Sequence, residues 1–266
     1  MPTISLRVRY YRTTNLLKGR AWREENLREG EVTWRLKGEE AALVLVDCWD
    51  KHFLKSHLER TNQIVHERIA PTIKACHEAG IAVVHAPSPG QARLYPQWLA
   101  YASDGELFPQ PEAKDEWPPA EFRERSGEHA QYAKPRRADI EDDPRYRSDD
   151  RRIAAEIEPQ EGECVIATGG QLHRLLRDRK ILHLFYAGFA ANMCVPYRDY
   201  GTRAMHNRGY NIILLRDCTT AIEADYTLPT FSLTEAAVLD VEMCLGFSTT
   251  SAALIKACTR RGGKRK

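Results

Sequence analysis

Ile181-Leu182-His183-Leu184-Phe185-Tyr186-Ala187-Gly188-Phe189-Ala190-Ala191-Asn192-Met193-Cys194-Val195-Pro196 decides how the rest of the chain is read. It opens as a short apolar run, which suits a strand buried on both faces of a parallel sheet. It closes in small residues and an Asn, then a Cys, and from Met193 the pattern turns helical. A cysteine at a strand-to-helix junction sits near a helix N-terminus, where backbone N–H groups point outward and the dipole favours a thiolate. That is an address for a nucleophile. It is also an address for a small buried residue at a tight turn, because free cysteine is among the most buried residue types.

Outward from this stretch, strands alternate with helices. Upstream, Ala41-Ala42-Leu43-Val44-Leu45-Val46 is a continuous apolar run ending at Asp47, and Ile81-Ala82-Val83-Val84-His85 is a second strand. An amphipathic helix is predicted over 59–79 between them, with a kink or break at Pro71 and Gly80 as its C-terminal stop. Residues 163–167 form a short strand, and Gly169-Gly170 opens a helix carrying Leu172, Leu175 and Leu176. Downstream, a helix is predicted over 193–207, with Pro196 tolerated in its first turn. Asn211-Ile212-Ile213-Leu214-Leu215 is the next strand, ended by Arg216-Asp217-Cys218-Thr219-Thr220. Helices over 233–243 and 249–260, with a short strand before the last, complete the pattern. Such alternation implies an α/β fold: a Rossmann-like three-layer α/β/α sandwich around a mostly parallel sheet of about six strands.

The 266 residues allow one large α/β domain or two small ones, and a hydrophobic content of 42% supports a sizeable core. The organisation reads as an N-terminal extension (1–38), a main domain (39–260) with an insertion at 103–150, and a basic tail (261–266). The extension holds two half-exposed strand patterns, Ile4-Ser5-Leu6-Arg7-Val8-Arg9-Tyr10 and Glu31-Val32-Thr33-Trp34-Arg35-Leu36, and is expected to pack on the main domain or on a second subunit. The insertion is rich in charge and proline and too long for an ordinary loop. Its recurring aromatics (Trp117, Phe122, Tyr132 and Tyr146) favour an ordered arm or lid over disorder.

Charge sets limits on partners. The formal charge of +2, from 39 basic and 37 acidic residues, gives no bulk attraction to nucleic acid or to a membrane surface. No apolar run is long enough to span a bilayer, and no N-terminal h-region is visible. The seven cysteines are scattered, odd in number and without a CxxC pair, so a reduced, cytoplasmic protein with mostly structural thiols is expected.

The two strand ends can be combined. In open α/β sheets ligands bind outside the carboxyl ends of the strands, and right-handed crossovers could bring Asp47 and Cys194 to one edge. A carboxylate beside a thiol suggests a general base that takes the thiol proton. By position alone, Asp47 serves equally well as a cap.

At this point the chain resembles the isochorismatase-like cysteine hydrolases, a superfamily that also holds nicotinamidases and N-carbamoylsarcosine amidases. Leu43-Val44-Leu45-Val46-Asp47 is similar to the family's first strand with its catalytic Asp. Gly188-Phe189-Ala190-Ala191-Asn192-Met193-Cys194-Val195 is similar to its Gly-x-Ala-Thr-Asp-x-Cys-Val block. The resemblance covers about residues 40–100 and 160–258. It implies that Cys194 attacks a carbonyl carbon while Asp47 manages the proton. It further implies an oxyanion hole of the Ala190 and Cys194 backbone N–H groups, with a cis peptide between Phe189 and Ala190.

Three departures stand out. The family's lysine after the third strand is replaced by Thr168, so Lys51 and Lys134 are the candidate cations. The Asp-x-His metal motif of nicotinamidases is replaced by His85-Ala86-Pro87-Ser88-Pro89. No cofactor or metal is therefore expected, with Asp50, His52 and His85 as the alternative metal cluster. Isochorismatase proper lacks the cysteine, so Cys194 favours the amide-cleaving branch. Trp49, His52, Phe53 and Thr168 are candidate pocket residues, with simple packing as the alternative.

The expected function is a cysteine hydrolase that cleaves a C–N amide or carbamoyl bond of a small molecule through a thioester, in a homo-oligomer. A non-catalytic binding or scaffold protein on the same fold is the alternative. A thiol phosphatase does not fit, because Cys194-Val195-Pro196-Tyr197-Arg198 brings the Arg too close and has no glycines for a phosphate cradle.

Overall fold

In the computed structural model, which describes residues 3–101, 117–143 and 150–259, the apolar runs join one sheet. Its strands are β1 (Thr3–Leu16), β2 (Leu27–Lys37), β3 (Ala41–Val46), β4 (Ala82–Ala86), β5 (Cys164–Val165), β6 (His183–Phe189), β7 (Asn211–Thr220) and β8 (Phe247–Thr249). The spatial order is β2-β1-β8-β7-β6-β3-β4-β5. From β8 to β5 the pairs are parallel, and β1 and β2 add an antiparallel hairpin at one edge.

β3 lies between β6 and β4 and is buried at every position, because neither face of a central parallel strand meets water. Val46 pairs with Gly188 in β6. That glycine sits at φ 112°, and a Cβ there would stand 2.0 Å from the Val46 carbonyl oxygen, so no larger residue fits.

Ten helices are described: α1 (Lys55–Ile64), α2 (Ala70–Ala79), α3 (Pro89–Ala92), α4 (Ala120–Glu124), α5 (Ala138–Glu141), α6 (Gly169–Asp178), α7 (Cys194–Tyr197), α8 (Thr202–Asn207), α9 (Ser232–Asp240) and α10 (Ser251–Thr259). One core layer joins Leu43, Leu45, Phe185 and Ile213 of the sheet to Ile73 and Cys76 of α2 and Leu254 of α10. The opposite layer joins Val44, Tyr186 and Leu214 to Leu172, Leu175 and Leu176 of α6, Met205 of α8 and Val238 of α9. The expected three-layer α/β/α sandwich is therefore present.

The sheet has eight strands rather than about six, because segment 1–38 is part of it. Ile4, Leu6 and Val8 of β1 point into the core while the residues between them face out, and Arg9 pairs with Ser248 of β8. Pro71 does not break its helix. A π-turn (Val65–Ile69) joins α1 to α2 and absorbs the missing N–H of proline one residue into the new segment.

The predicted helix over 193–207 is broken. α7 stops at Tyr197, and Arg198 is extended (φ −64°, ψ 154°) before α8 begins at Thr202. A Cβ on Gly201 would meet the Val195 carbonyl oxygen at 2.6 Å, so the chain folds back tightly at this point. Within the insertion, α4, α5 and a 3-10 turn (Gly127–Tyr132) are formed, and Phe122, His129 and Tyr132 cluster there. Tyr146 and the basic tail 261–266 lie outside the described residues.

Candidate active site

The carboxyl edge of the sheet gathers the chemistry. Asp47 is the first residue past β3 and is 1% exposed. Its backbone is left-handed (φ 46°), a conformation that Asp tolerates better than most residues and that tends to mark functional turns. Its N–H still donates to the Ala86 carbonyl oxygen at 3.2 Å, continuing the ladder to β4.

Cys194 opens α7 and is half-buried. The loop before it is tied down. Asn192 donates through Nδ2 to the Ile222 carbonyl at 3.1 Å and accepts from the Ile222 N–H at 3.1 Å. The Ala191 N–H donates to the Thr220 carbonyl at 3.0 Å. The peptide bond between Phe189 and Ala190 is cis.

Asp47 and Cys194 each shift the other's titration. Burial pushes the thiol up to about 12, and the Asp47 charge and its hydrogen bond to the thiol push in the same direction. Arg198 and the Ala190 N–H oppose that rise. Burial also raises the Asp47 carboxyl above its ordinary range, opposed chiefly by Arg198, then by the thiol and by Arg151. Burial holds both groups above their ordinary ranges, and Arg198 opposes the rise of each.

Arg198 supplies the local cation. Its Nη2 donates to Asp47 Oδ2 at 3.0 Å and also to the Ser88 hydroxyl. The Ser88 hydroxyl in turn lies 3.5 Å from Asp47 Oδ1. The turn that presents Arg198 is held by two buried tyrosines. Tyr200 donates to the Pro87 carbonyl at 2.9 Å, and Tyr186 donates to the Tyr200 carbonyl at 2.7 Å. Asp199 accepts from the Gly169 N–H at 2.6 Å, and a Cβ on Gly169 would stand 2.1 Å from the Asp199 carbonyl oxygen. The backbone after β5 is thus packed against the turn that carries Arg198.

Several expected residues do other work. Thr168 is the N-cap of α6, its hydroxyl accepting from the Gln171 N–H at 3.1 Å. Lys51 and Lys134 are both exposed, and the cation paired with Asp47 is Arg198. The trio Asp50, His52 and His85 does not assemble. Asp50 accepts from the Arg152 N–H at 2.8 Å, His52 Nδ1 accepts from the Leu54 N–H at 3.0 Å, and His85 Nε2 meets Glu163 Oε2 at 2.8 Å. Among the described residues no group of three such side chains is placed to hold a metal ion.

Trp49 is buried and bridges to Ile153, and the Arg151 guanidinium lies over its ring at 4.8 Å from the centroid. Phe53 is exposed and stacks on His52 at 4.6 Å. His57 packs edge-on against the His52 ring at 5.0 Å, and burial lowers it to about 4, with His52 and Arg60 acting in the same direction.

Sequence reasoning missed Arg198, Ser88 and Arg151. The signal for Arg198 was the turn-forming run Asp199-Tyr200-Gly201 directly after it, inside the predicted helix.

The family model described as an isochorismatase domain matches residues 41–243. No curated protein matches the chain. Among solved structures, a cysteine hydrolase from Pseudomonas syringae pv. phaseolicola aligns with TM-score 0.56 and 17% identity, covering 85% of this chain and 95% of the other. An isochorismatase-like hydrolase from Alkaliphilus metalliredigens aligns with TM-score 0.50 and 17% identity, over 82% of this chain and 98% of the other. At such identities the likeness is one of fold.

Proposed function

Because the chain belongs to the isochorismatase family and carries Cys194 where the sequence resemblance implies a nucleophile, we propose that it cleaves a C–N amide or carbamoyl bond of a small molecule. The observation that carries this reading is the buried Asp47 carboxylate set against the Cys194 thiol, with Arg198 as its counter-charge.

The steps follow from those groups. Cys194 Sγ attacks the carbonyl carbon and a C–S bond forms, while the thiol proton passes to Asp47. A raised carboxyl range makes Asp47 a better acceptor, and direct transfer avoids making a free thiolate from a thiol near 12. The negative charge that develops on the carbonyl oxygen is received by the Ala190 and Cys194 N–H groups. When the tetrahedral species collapses, the C–N bond breaks and Asp47 returns the proton to the leaving nitrogen. Water then attacks the thioester and gives a proton to Asp47, which hands it back to the departing sulfur.

Arg198 stabilises the ionised form of Asp47 at the start and end of each half-reaction. It takes the electrostatic place of the family lysine from a different element of the fold. The absence of that lysine is the main argument for a non-catalytic scaffold, and Arg198 weakens it.

Incubating the protein with primary amides and N-carbamoyl compounds tests the reading. Ammonia or amine release that disappears in Cys194→Ala, with the fold retained, supports it. No turnover across the panel, or turnover that survives Cys194→Ala, refutes it.

A further inference from the structure

The charged groups around the reacting pair are not all matched in ion pairs. Asp47 and Arg198 neutralise each other, and the Cys194 thiol is neutral. His57 is held neutral down to about pH 4, and burial and Arg151 also lower His52. Asp50 turns its carboxylate to the Arg152 backbone. Among the described residues, Arg151 is a cation beside the reacting pair with no ion-pair partner.

Its placement is specific. Residues 152–154 run antiparallel to 48–50, directly beyond Asp47. The Asp50 N–H donates to the Arg152 carbonyl at 2.9 Å, and the Ala154 N–H donates to the Cys48 carbonyl at 2.9 Å. Arg151 leads into this clamp and lays its guanidinium on the buried Trp49 ring. It is near enough to lower both Asp47 and His52. Its Nε is shielded from solvent without a hydrogen-bond partner, and among the described residues no carboxylate pairs with it. A partly desolvated guanidinium without an anion is unfavourable, and its planar fork matches a carboxylate with two parallel hydrogen bonds.

We infer that Arg151 binds a carboxylate of the substrate, so that the amide or carbamoyl compound cleaved at Cys194 is one that also bears an acid group. The inference rests on the hydrolase reading for the bond that breaks, but not for the anion that binds. Trp49 fixes the plane of the guanidinium, and the clamp fixes its position relative to Asp47. Arg151 is a specificity-determining residue that takes no part in proton transfer.

The test uses matched pairs: N-carbamoyl amino acids against their methyl esters, and succinamate against butyramide. The wild type is expected to favour the acid member by about 10- to 100-fold in kcat/KM, the range of one charge-assisted bidentate contact. In Arg151→Met the ratio falls towards one, chiefly through the KM of the acid member, while any loss from a less ionised Asp47 falls equally on both members and cancels in the ratio, and Arg151→Lys keeps part of the preference. As a second readout, binding of the intact acid to the Cys194→Ala protein weakens with Arg151→Met and with added salt. Equal rates for both members in the wild type overturn the inference, as does an unchanged ratio in Arg151→Met or a failure of any acid amide to bind Cys194→Ala. Should Arg151→Met not fold, the wild-type ratio and Arg151→Lys decide. Neutral amides cleaved through Cys194 with no acid preference would sink this inference and leave the hydrolase reading standing. Arg151-dependent binding of acids without turnover would do the reverse.

Discussion

Replacing Arg198 by Met removes the guanidinium and keeps much of the side-chain volume. The ion pair lost is 3.0 Å long, and its carboxylate is 1% exposed. At an effective dielectric of about 20, that separation corresponds to a gross attraction of about 5 kcal/mol. Desolvation cancels about half, which leaves about 3 kcal/mol, or roughly a hundredfold in rate if it acts on the reactive protonation state. With the guanidinium gone, burial raises Asp47 without that opposition, and the carboxyl is protonated over more of the assay range. A protonated Asp47 cannot accept the thiol proton. The expected result is a fall in kcat/KM of about a hundredfold near neutral pH, with the acid limb of the pH–rate profile moved to higher pH. Stability carries the same sign: a raised carboxyl binds its proton more readily in the folded state, so the variant loses more stability at pH 8 than at pH 5. Steady-state amide hydrolysis across pH, alongside melting curves at the two pH values, measures both effects. A kcat/KM within twofold of wild type and an unmoved acid limb would refute the role given to Arg198.

Other expectations concern the thiol, the supporting turn and a buried histidine. Asp47→Asn removes the charge that raises Cys194 and leaves Arg198 beside it. Alkylation of Cys194 at pH 8 should therefore quicken while hydrolysis is lost, whereas in the wild type the exposed Cys244 should react first; peptide mass spectrometry reads both. Tyr200→Phe leaves the Pro87 carbonyl without its donor, which lowers the unfolding free energy read from denaturant melts by about 1–3 kcal/mol, and loosens the turn that presents Arg198, so activity should fall as well. His57 goes from 6.5 when unfolded to about 4 when folded. Its contribution is whole above pH 6.5 and is lost as pH falls towards 4, so His57→Gln should flatten the acid side of the stability curve by up to about 3 kcal/mol.

The proposed pair was placed at one sheet edge because Asp47 directly follows β3 and Cys194 lies in the turn after β6, and strand ends in a parallel sheet share one edge. Arg198 was not legible, because its direction depends on a helix break. An uninterrupted helix over 193–207 would carry Arg198 one turn beyond Cys194 with no reason to face Asp47. The break is set by the close approach of Gly201 to Val195 and by the hydrogen bonds of Tyr186 to Tyr200 and of Tyr200 to Pro87, the last between segments 113 residues apart. Thr168 drew attention for want of a lysine, yet its short hydroxyl chain is what an N-cap needs. His85 belongs to Glu163, a partner 78 residues away that no local pattern reveals. The strands within 1–38 were readable from their alternation, but their membership of the main sheet was not, because pairing with β8 depends on residues at the other end of the chain.

The central claim is that Cys194 carries the acyl or carbamoyl group between two half-reactions. Turnover of a primary amide in the presence of hydroxylamine tests it most directly, since a thioester partitions between water and the stronger nucleophile. The account predicts hydroxamate in proportion to hydroxylamine, together with a transient mass increase on the peptide containing Cys194, and neither in Cys194→Ala. Amide cleavage that continues in Cys194→Ala, or that proceeds in the wild type without hydroxamate or adduct, would contradict it.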